Sequence, residues 1–271
     1  MTTHTASAST APEQEQAVTR RWPTFRKPQW FFDDGALVYV KWLAIISMLV
    51  DHLNVMIGHP LGMYTPEAFY FGRLAAPLFA IMVGYNLARP DTSRTTRQSR
   101  ARRTTGLMLL FAVISTPIAM WVRPPDYPPN ILFGLAHGAS LVMLCMVITN
   151  KERHIAWRIL AGITLPLWFV LAGWPAEFGY PVPGTVLLSY LMWRTQAWQA
   201  RLFVLLLVIG SVYTFALING NHYGLLSLPV LLMAASMQWP IAKRMHKLFF
   251  YILYPAHLLI FGIISMKIAA A

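Results

Sequence analysis

Long apolar stretches separated by short polar connections occupy most of this chain. A helix of about 20 apolar residues can cross the hydrocarbon core of a bilayer, because each residue adds about 1.5 Å of length. The pattern therefore predicts an all-α, polytopic integral membrane protein with about nine transmembrane helices, within a range of about eight to ten. The predicted spans are approximately Ala36–Ile57, Phe71–Ala88, Thr105–Val122, Ile131–Thr149, Ile155–Leu171, Val182–Trp193, Leu202–Ile218, Tyr223–Gln238 and Leu248–Met266, of which the sixth is short for a full crossing.

The positions of the cations predict how the chain lies in the membrane. Six arginines lie on the connection from Arg89 to Arg103, between two apolar spans, and such clusters stay on the cytoplasmic side. With the N-terminus inside, 18 of the 22 Lys and Arg residues fall in the tail or in cytoplasmic connections. We therefore expect a cytoplasmic N-terminus. Residues 1–35 are predicted to form a polar, basic cytoplasmic tail that ends in an interfacial aromatic segment, Trp30–Phe32, and residues 36–268 to form the membrane domain.

The composition argues against several other classes of protein. Hydrophobic residues make up 56% of the chain and charged residues 12%, whereas soluble domains usually contain about 25% charged residues. The net charge of +12 is accounted for by the sorting of cations to one side, so we expect no nucleic-acid partner. The chain has one cysteine, Cys145, and no CxxC, HExxH or Walker motif, so we expect no metal site and no ATP-driven pump.

Ionisable residues inside the first two spans are the strongest candidates for function, because a charge within the bilayer is costly. The first span contains Lys41, Asp51 and His52. Lys41 and His52 are 11 residues apart and therefore share a helix face, although Lys41 is also close enough to the inner end to snorkel. Arg73 begins the second span at nearly the depth of Asp51, so we expect the two to form an ion pair. Pro77 is expected to kink the second span nearby.

Further polar residues extend this candidate site to other spans. Asn54 lies one helical turn after Asp51, and Tyr254 lies one turn before His257 in the last span. His137 lies in the fourth span beside Gly134 and Gly138. Single histidines in spans often serve only as hydrogen-bonding groups between helices, but three on separate spans favour a site. The predicted outer loops are rich in Pro and Gly and contain Glu67, Asp126 and Glu177; they either cap a pocket or are ordinary tight connections.

Three of these segments together resemble the TraX family. They are Lys-x3-Ile-x2-Met-x2-Asp-His from Lys41 to His52, Gly-Arg-x3-Pro-Leu-Phe-Ala from Gly72 to Ala80, and Tyr-Pro-x-His-Leu from Tyr254 to Leu258. The segment from Pro128 to Leu141 also matches the family's polar fourth span, whereas Glu177–Gly184 departs from its acidic-Tyr-Gly motif. The family comprises membrane acetyltransferases of conjugative plasmids that acetylate the N-terminus of F-type pilin, and it is in turn similar to the broader acyltransferase-3 membrane family.

The resemblance implies an acetyltransferase of the bacterial inner membrane that uses acetyl-CoA and acts on pilin or another acceptor. His52, as general base, would then act with Asp51, Arg73 and His257, since a histidine with a pKa of about 6.5 can both accept and return a proton. The expected cofactor-binding residues are Lys41, Arg89, Arg94, Arg97, Arg100, Arg102 and Arg103. The expected pocket residues are Asn54, His137, Glu177 and Tyr254.

Two other functions explain the same residues. In a proton-coupled transporter or flippase, Asp51 and His52 would relay protons and Arg73 would bind an anionic solute. In a non-enzymatic assembly factor, small-residue helix faces would bind pilin. The sequence leaves open the acceptor, the oligomeric state, and whether acetyl passes directly or through a covalent intermediate.

Overall fold

The computed structural model describes residues 24–25, 32–89, 93–122, 130–173, 177–239 and 248–270. These ranges contain ten α-helices: α1 (Asp34–Leu53), α2 (Pro66–Gly72), α3 (Ala75–Ala88), α4 (Arg94–Val122), α5 (Ile131–Ile148), α6 (Ile155–Gly173), α7 (Pro181–Arg194), α8 (Trp198–Asn219), α9 (Ser227–Ser236) and α10 (Phe249–Ala269). A π-helix, Asn54–Gly58, continues α1, and a 3-10 turn, Tyr223–Leu226, precedes α9. Two-residue strands β1 (Thr24–Phe25) and β2 (Met237–Gln238) pair antiparallel. Most of the predicted tail, including Trp30 and Phe31, lies outside the described residues, as does Asp126.

The helices confirm the all-α, multi-pass membrane fold. Within the described residues, six helical segments are long and apolar enough to cross a bilayer: Asp34–Gly58, Pro66–Ala88, Thr95–Val122, Ile131–Ile148, Trp198–Asn219 and Phe249–Ala269. The other three predicted spans coincide with α6, with α7, and with the 3-10 turn followed by α9. The number of nine crossings and the cytoplasmic N-terminus stay predictions.

Contacts at both ends of neighbouring helices give their relative directions. Asp51 pairs with Arg73 at one end of α1, and Asp34 pairs with Arg89 at the other, so α1 and α3 are antiparallel. The helices α1 and α10 are parallel, because Trp42 lies 5.7 Å from Phe249 and His52 lies 4.9 Å from His257, ring centroid to ring centroid. Parallel first and last helices agree with an odd number of alternating crossings.

The short helix α3 lies at the centre of the bundle. Twelve of its 14 residues are buried, and it packs against α1, α5 and α7. A helix that is apolar on every side is stable only when it is surrounded, which explains its central place. By contrast, α6, α8 and α10 expose rows of large apolar side chains, such as Leu167, Leu206 and Ile260, which suits helices that face lipid.

Local sequence signals explain where α1 begins and where the second predicted span breaks. Asp33 caps α1, since its Oδ1 accepts a hydrogen bond from Ala36 N at 2.6 Å. The second predicted span is divided into α2 and α3, with the break at Arg73 and Leu74. Pro77 has no N–H to donate to the carbonyl of Arg73, four residues earlier, so the predicted disruption occurs beside a charged residue.

Close packing of α3 against α7 depends on Gly84. A Cβ at this position would lie 2.4 Å from the carbonyl oxygen of Val186 and 2.6 Å from Cβ of Ser189. Gly84→Ala should therefore push two central helices apart and destabilise the protein by about 1–3 kcal/mol. Thermal unfolding of the purified protein in detergent measures this change. Gly106→Ala is the matched control, because Gly106 has open space around it and helix propensity there favours alanine. Equal melting temperatures for the two variants would contradict the packing described.

Candidate functional site

A buried ion pair joins α1 to the break between α2 and α3. Arg73 Nη2 donates to Asp51 Oδ2 at 2.5 Å, and the side chains are only 11% and 13% exposed, respectively. Gly72 makes this approach possible, because a Cβ there would lie 2.3 Å from Cβ of Asp51. The ion pair expected from the hairpin geometry is therefore present. Each charge neutralises the other where neither can be well hydrated.

The guanidinium of Arg73 is held on several sides. Its Nη1 donates to Asn219 Oδ1 at 3.0 Å, and its Nε donates to the carbonyl oxygen of Phe69 at 3.3 Å. The Phe69 ring also lies 4.1 Å below the guanidinium carbon. Asn219 was not among the predicted site residues. Its signal in the sequence is weak: an amide at the last position of α8, before Gly220, whose φ of 64° ends the helix.

Two histidines from the first and last helices are hydrogen-bonded to each other. His52 Nδ1 and His257 Nε2 are 2.6 Å apart, and the planes of the two rings are inclined to each other by only 13°. His257 Nδ1 lies 2.9 Å from the carbonyl oxygen of Leu253, which can only accept, so His257 Nδ1 is the donor there. In the neutral pair, Nε2 of His257 then accepts from Nδ1 of His52. This arrangement places the lone pair of His52 on Nε2.

The histidine pair and the ion pair meet at one cavity. Its volume is about 380 Å³. Five of the predicted site residues line it: Asp51, His52, Arg73, Glu177 and Tyr254. His257 does not line it but is hydrogen-bonded to His52, which does. Its wall also includes His59 and Pro60, just after the π-helix, which were not predicted. The π-helix follows His52 directly, and such irregular turns occur frequently at functional sites.

Glu177 brings a second carboxylate to the cavity wall. It is 7% exposed, and its Oε2 accepts a hydrogen bond from the backbone N–H of Ile131 at 2.9 Å. This N–H begins α5, where the helix dipole favours a negative charge. The next two residues, Phe178 and Gly179, have φ angles of 61° and 54°, so the chain turns sharply behind the carboxylate. The predicted loop residue is thus fixed beside the cavity rather than exposed.

Asn54 and His137 have other surroundings. Asn54 donates to the carbonyl of Thr65 at 2.8 Å and accepts from its N–H at 2.9 Å, so its amide holds the loop after the π-helix. His137 faces α6, where its ring centroid lies 5.6 Å from that of Trp168. Its ring nitrogens make no hydrogen bond within the described part of the chain. The structure does not bring His137 to the cavity that contains His52.

The predicted cofactor-binding cations are divided among several environments. Arg89 pairs with Asp34 at 2.6 Å, and Arg100 Nη1 donates to the carbonyl of Asn86 at 3.0 Å, so both fasten the end of the bundle at which α1 begins. Lys41, Arg97 and Arg103 lie at or near that end, Arg102 lines a separate crevice, and the side chain of Arg94 is outside the described atoms. Among the described residues, no group of three or more His, Cys, Asp or Glu side chains is arranged to hold a metal ion.

Comparison with known proteins matches this chain to one family. The model of the family described as "TraX protein" matches residues 36–265, a range that includes every residue lining the cavity. The chain belongs to the TraX family. It is 24% identical over 265 residues to Protein TraX of Escherichia coli and, at the same identity, to Protein TraX of Escherichia coli strain K12. Each alignment covers 95% of this chain and 98% of the relative. No solved structure matches the chain.

The cost of an isolated buried charge gives a test of this TraX-family site. Asp51→Asn leaves the Arg73 guanidinium without its counter-charge, and breaking a buried pair costs about 3–5 kcal/mol. The double variant Asp51→Asn/Arg73→Gln removes both charges, so it should be more stable than the sum of the single losses predicts. Thermal unfolding of the four proteins in detergent measures the coupling.

Glu67→Gln is the control for this cycle, because Glu67 is an exposed acid on α2, the helix that precedes Arg73. It should leave the melting temperature unchanged. Strictly additive losses for Asp51 and Arg73 would contradict a direct ion pair.

Proposed function

We propose that this protein is an acetyltransferase of the bacterial inner membrane that transfers acetyl from acetyl-CoA to the N-terminal amine of a pilin subunit. The observation that carries the proposal is the hydrogen-bonded pair His52–His257 beside the Asp51–Arg73 ion pair in one cavity. Membership of the TraX family supports a role in conjugation, and the family resemblance supplies the acetyl donor and the acceptor.

His52 is the general base in this proposal. With its Nδ1 proton directed to His257, its Nε2 takes the proton of the acceptor amine as the amine nitrogen attacks the thioester carbonyl carbon. A C–N bond forms, the C–S bond breaks, and the proton passes on to the CoA sulfur. The products are the N-acetylated acceptor and free CoA thiol, with His52 returned to its starting state. No covalent enzyme intermediate is needed.

Arg73 supplies positive charge for the oxygen that becomes negative during the attack. Three of its five N–H groups are used by Asp51, Asn219 and Phe69, which leaves two to donate to an oxyanion. Because these contacts fix the guanidinium beforehand, it needs no reorganisation when charge develops. Asp51 therefore acts through Arg73, whereas the partner that orients His52 is His257.

The direction from which acetyl-CoA approaches follows from the predicted orientation. The arginine-rich connection would lie in the cytoplasm, where positive side chains attract the phosphates of CoA. Of the predicted cations, Lys41 is placed most directly, because it shares a helix face with His52 about 16 Å away along α1. Arg97 and Arg103 lie beside the same inner end.

Removal of the base tests the reaction. His52→Gln should lower acetyl transfer by about 100-fold or more, since general-base catalysis contributes about 10²–10⁴-fold. The assay measures incorporation of radiolabelled acetyl from acetyl-CoA into a purified pilin in proteoliposomes. His154→Gln, an exposed histidine of the α5–α6 connection, is the matched control and should keep normal activity. Full transfer by His52→Gln would remove the assigned role.

Removal of the orienting partner should give a smaller loss. His257→Gln keeps a group that can accept from His52 but no longer fixes it through a ring held by Leu253. We expect a fall in kcat with little change in KM for acetyl-CoA, because the change affects the base and not the CoA site. Solute flux in the same proteoliposomes without any acetyl incorporation would favour a transporter instead.

A further inference from the structure

A second cavity lies between α4, α5 and α6, at a distance along the bundle from the histidine pair. Its volume is about 310 Å³. Its floor comes from α5, and its walls come from α4 and α6: Gln98, Arg102, Ser140, Met143, Leu144, Met146, Val147, Arg153, Thr164 and Trp168. It shares no lining residue with the cavity around His52.

One end of this crevice carries two positive charges. Arg102 is on α4, and Arg153 is in the turn between α5 and α6; both side chains are exposed. Neither guanidinium at the crevice forms an ion pair with a carboxylate within the described part of the chain. Two such groups at a rim complement a phosphate, which accepts two or more charge-assisted hydrogen bonds.

The other end of the crevice is apolar. Two of the polar groups there are already hydrogen-bonded, because Trp168 Nε1 donates to Ser140 Oγ at 2.7 Å and Ser140 Oγ donates to the carbonyl of His137 at 2.6 Å. Between Val147 and Ser140 the floor extends for roughly 10 Å of helix. Its lining is methionine and aliphatic side chains, which suit a flexible hydrocarbon chain.

We propose that this crevice binds an anionic phospholipid, with the phosphate at Arg102 and Arg153 and one acyl chain along α5. The arginine-rich connection lies at the headgroup level of its leaflet, and basic crevices between membrane helices bind acidic lipid headgroups in this way. The outer face of α6, with Ile159, Ile163 and Leu167 exposed, is suited to lipid, so a lipid can enter from the side.

Lipid binding to the purified full-length chain tests the proposal. Native mass spectrometry in a non-ionic detergent would compare dioleoyl phosphatidylglycerol with dioleoyl phosphatidylcholine. We expect phosphatidylglycerol to bind more tightly and Arg102→Gln/Arg153→Gln to weaken it at least 10-fold. Lys151→Gln is the matched control, since it removes an exposed charge from the same turn without altering the crevice lining. Thr164→Phe should weaken binding by filling the apolar part.

Other ligands give the outcomes that would overturn the proposal. Equal binding of the two lipids, or undiminished binding by the double variant, would show that the guanidinium groups do not hold the headgroup. Displacement of phosphatidylglycerol by millimolar inorganic phosphate would indicate a simple anion site with no role for the acyl chain. Saturable displacement by CoA that depends on Arg102 would assign the crevice to the acetyl donor.

Discussion

The buried Asp51–Arg73 ion pair constrains the end of the helix bundle at which α1 ends. A single charge at this depth would carry a large desolvation cost, so the two side chains must stay together. Gly72 lets α1 approach closely, Pro77 divides the second segment beside Arg73, and Asn219 ties the same guanidinium to α8. These contacts bring three separate parts of the chain to one point. The cavity exists where they meet.

The histidine pair adds to this cavity a chain of hydrogen bonds with a defined direction. Since Leu253 offers only a carbonyl oxygen, the hydrogen-bond direction runs from His52 to His257 and then to the backbone of α10. The two pairs thus have separate roles. The ion pair supplies charged groups to the cavity, and the histidine pair fixes the tautomer of the proposed base. Glu177 is held by the start of α5, which adds a carboxylate to the wall of the same cavity.

The sequence predicted the local parts of this arrangement but not the distant ones. The all-α fold and the Asp51–Arg73 pair follow from apolar length and from equal depth in adjacent segments. The hydrogen-bond partner of His52 lies 205 residues away in the sequence, and that of Arg73 Nη1 lies 146 residues away. A single sequence does not show which distant residues come into contact. His137 and His257 look alike in sequence, yet only His257 reaches His52, because helix rotation decides which face a side chain occupies. Arg89 and Arg100 likewise looked available for phosphate but fasten the end of the bundle at which α1 begins.

The account depends on the claim that the imidazoles of His52 and His257 form one chain of hydrogen bonds, in which Nδ1 of each ring is the donor. Nitrogen NMR of the protein with ¹⁵N-labelled histidine rings, assigned with variants at positions 52 and 257, measures this directly. We predict protonated Nδ1 and unprotonated Nε2 in both rings at neutral pH, with a scalar coupling across the hydrogen bond between them. Opposite tautomers, or the absence of any coupling in a well-resolved spectrum, would contradict the proposed base.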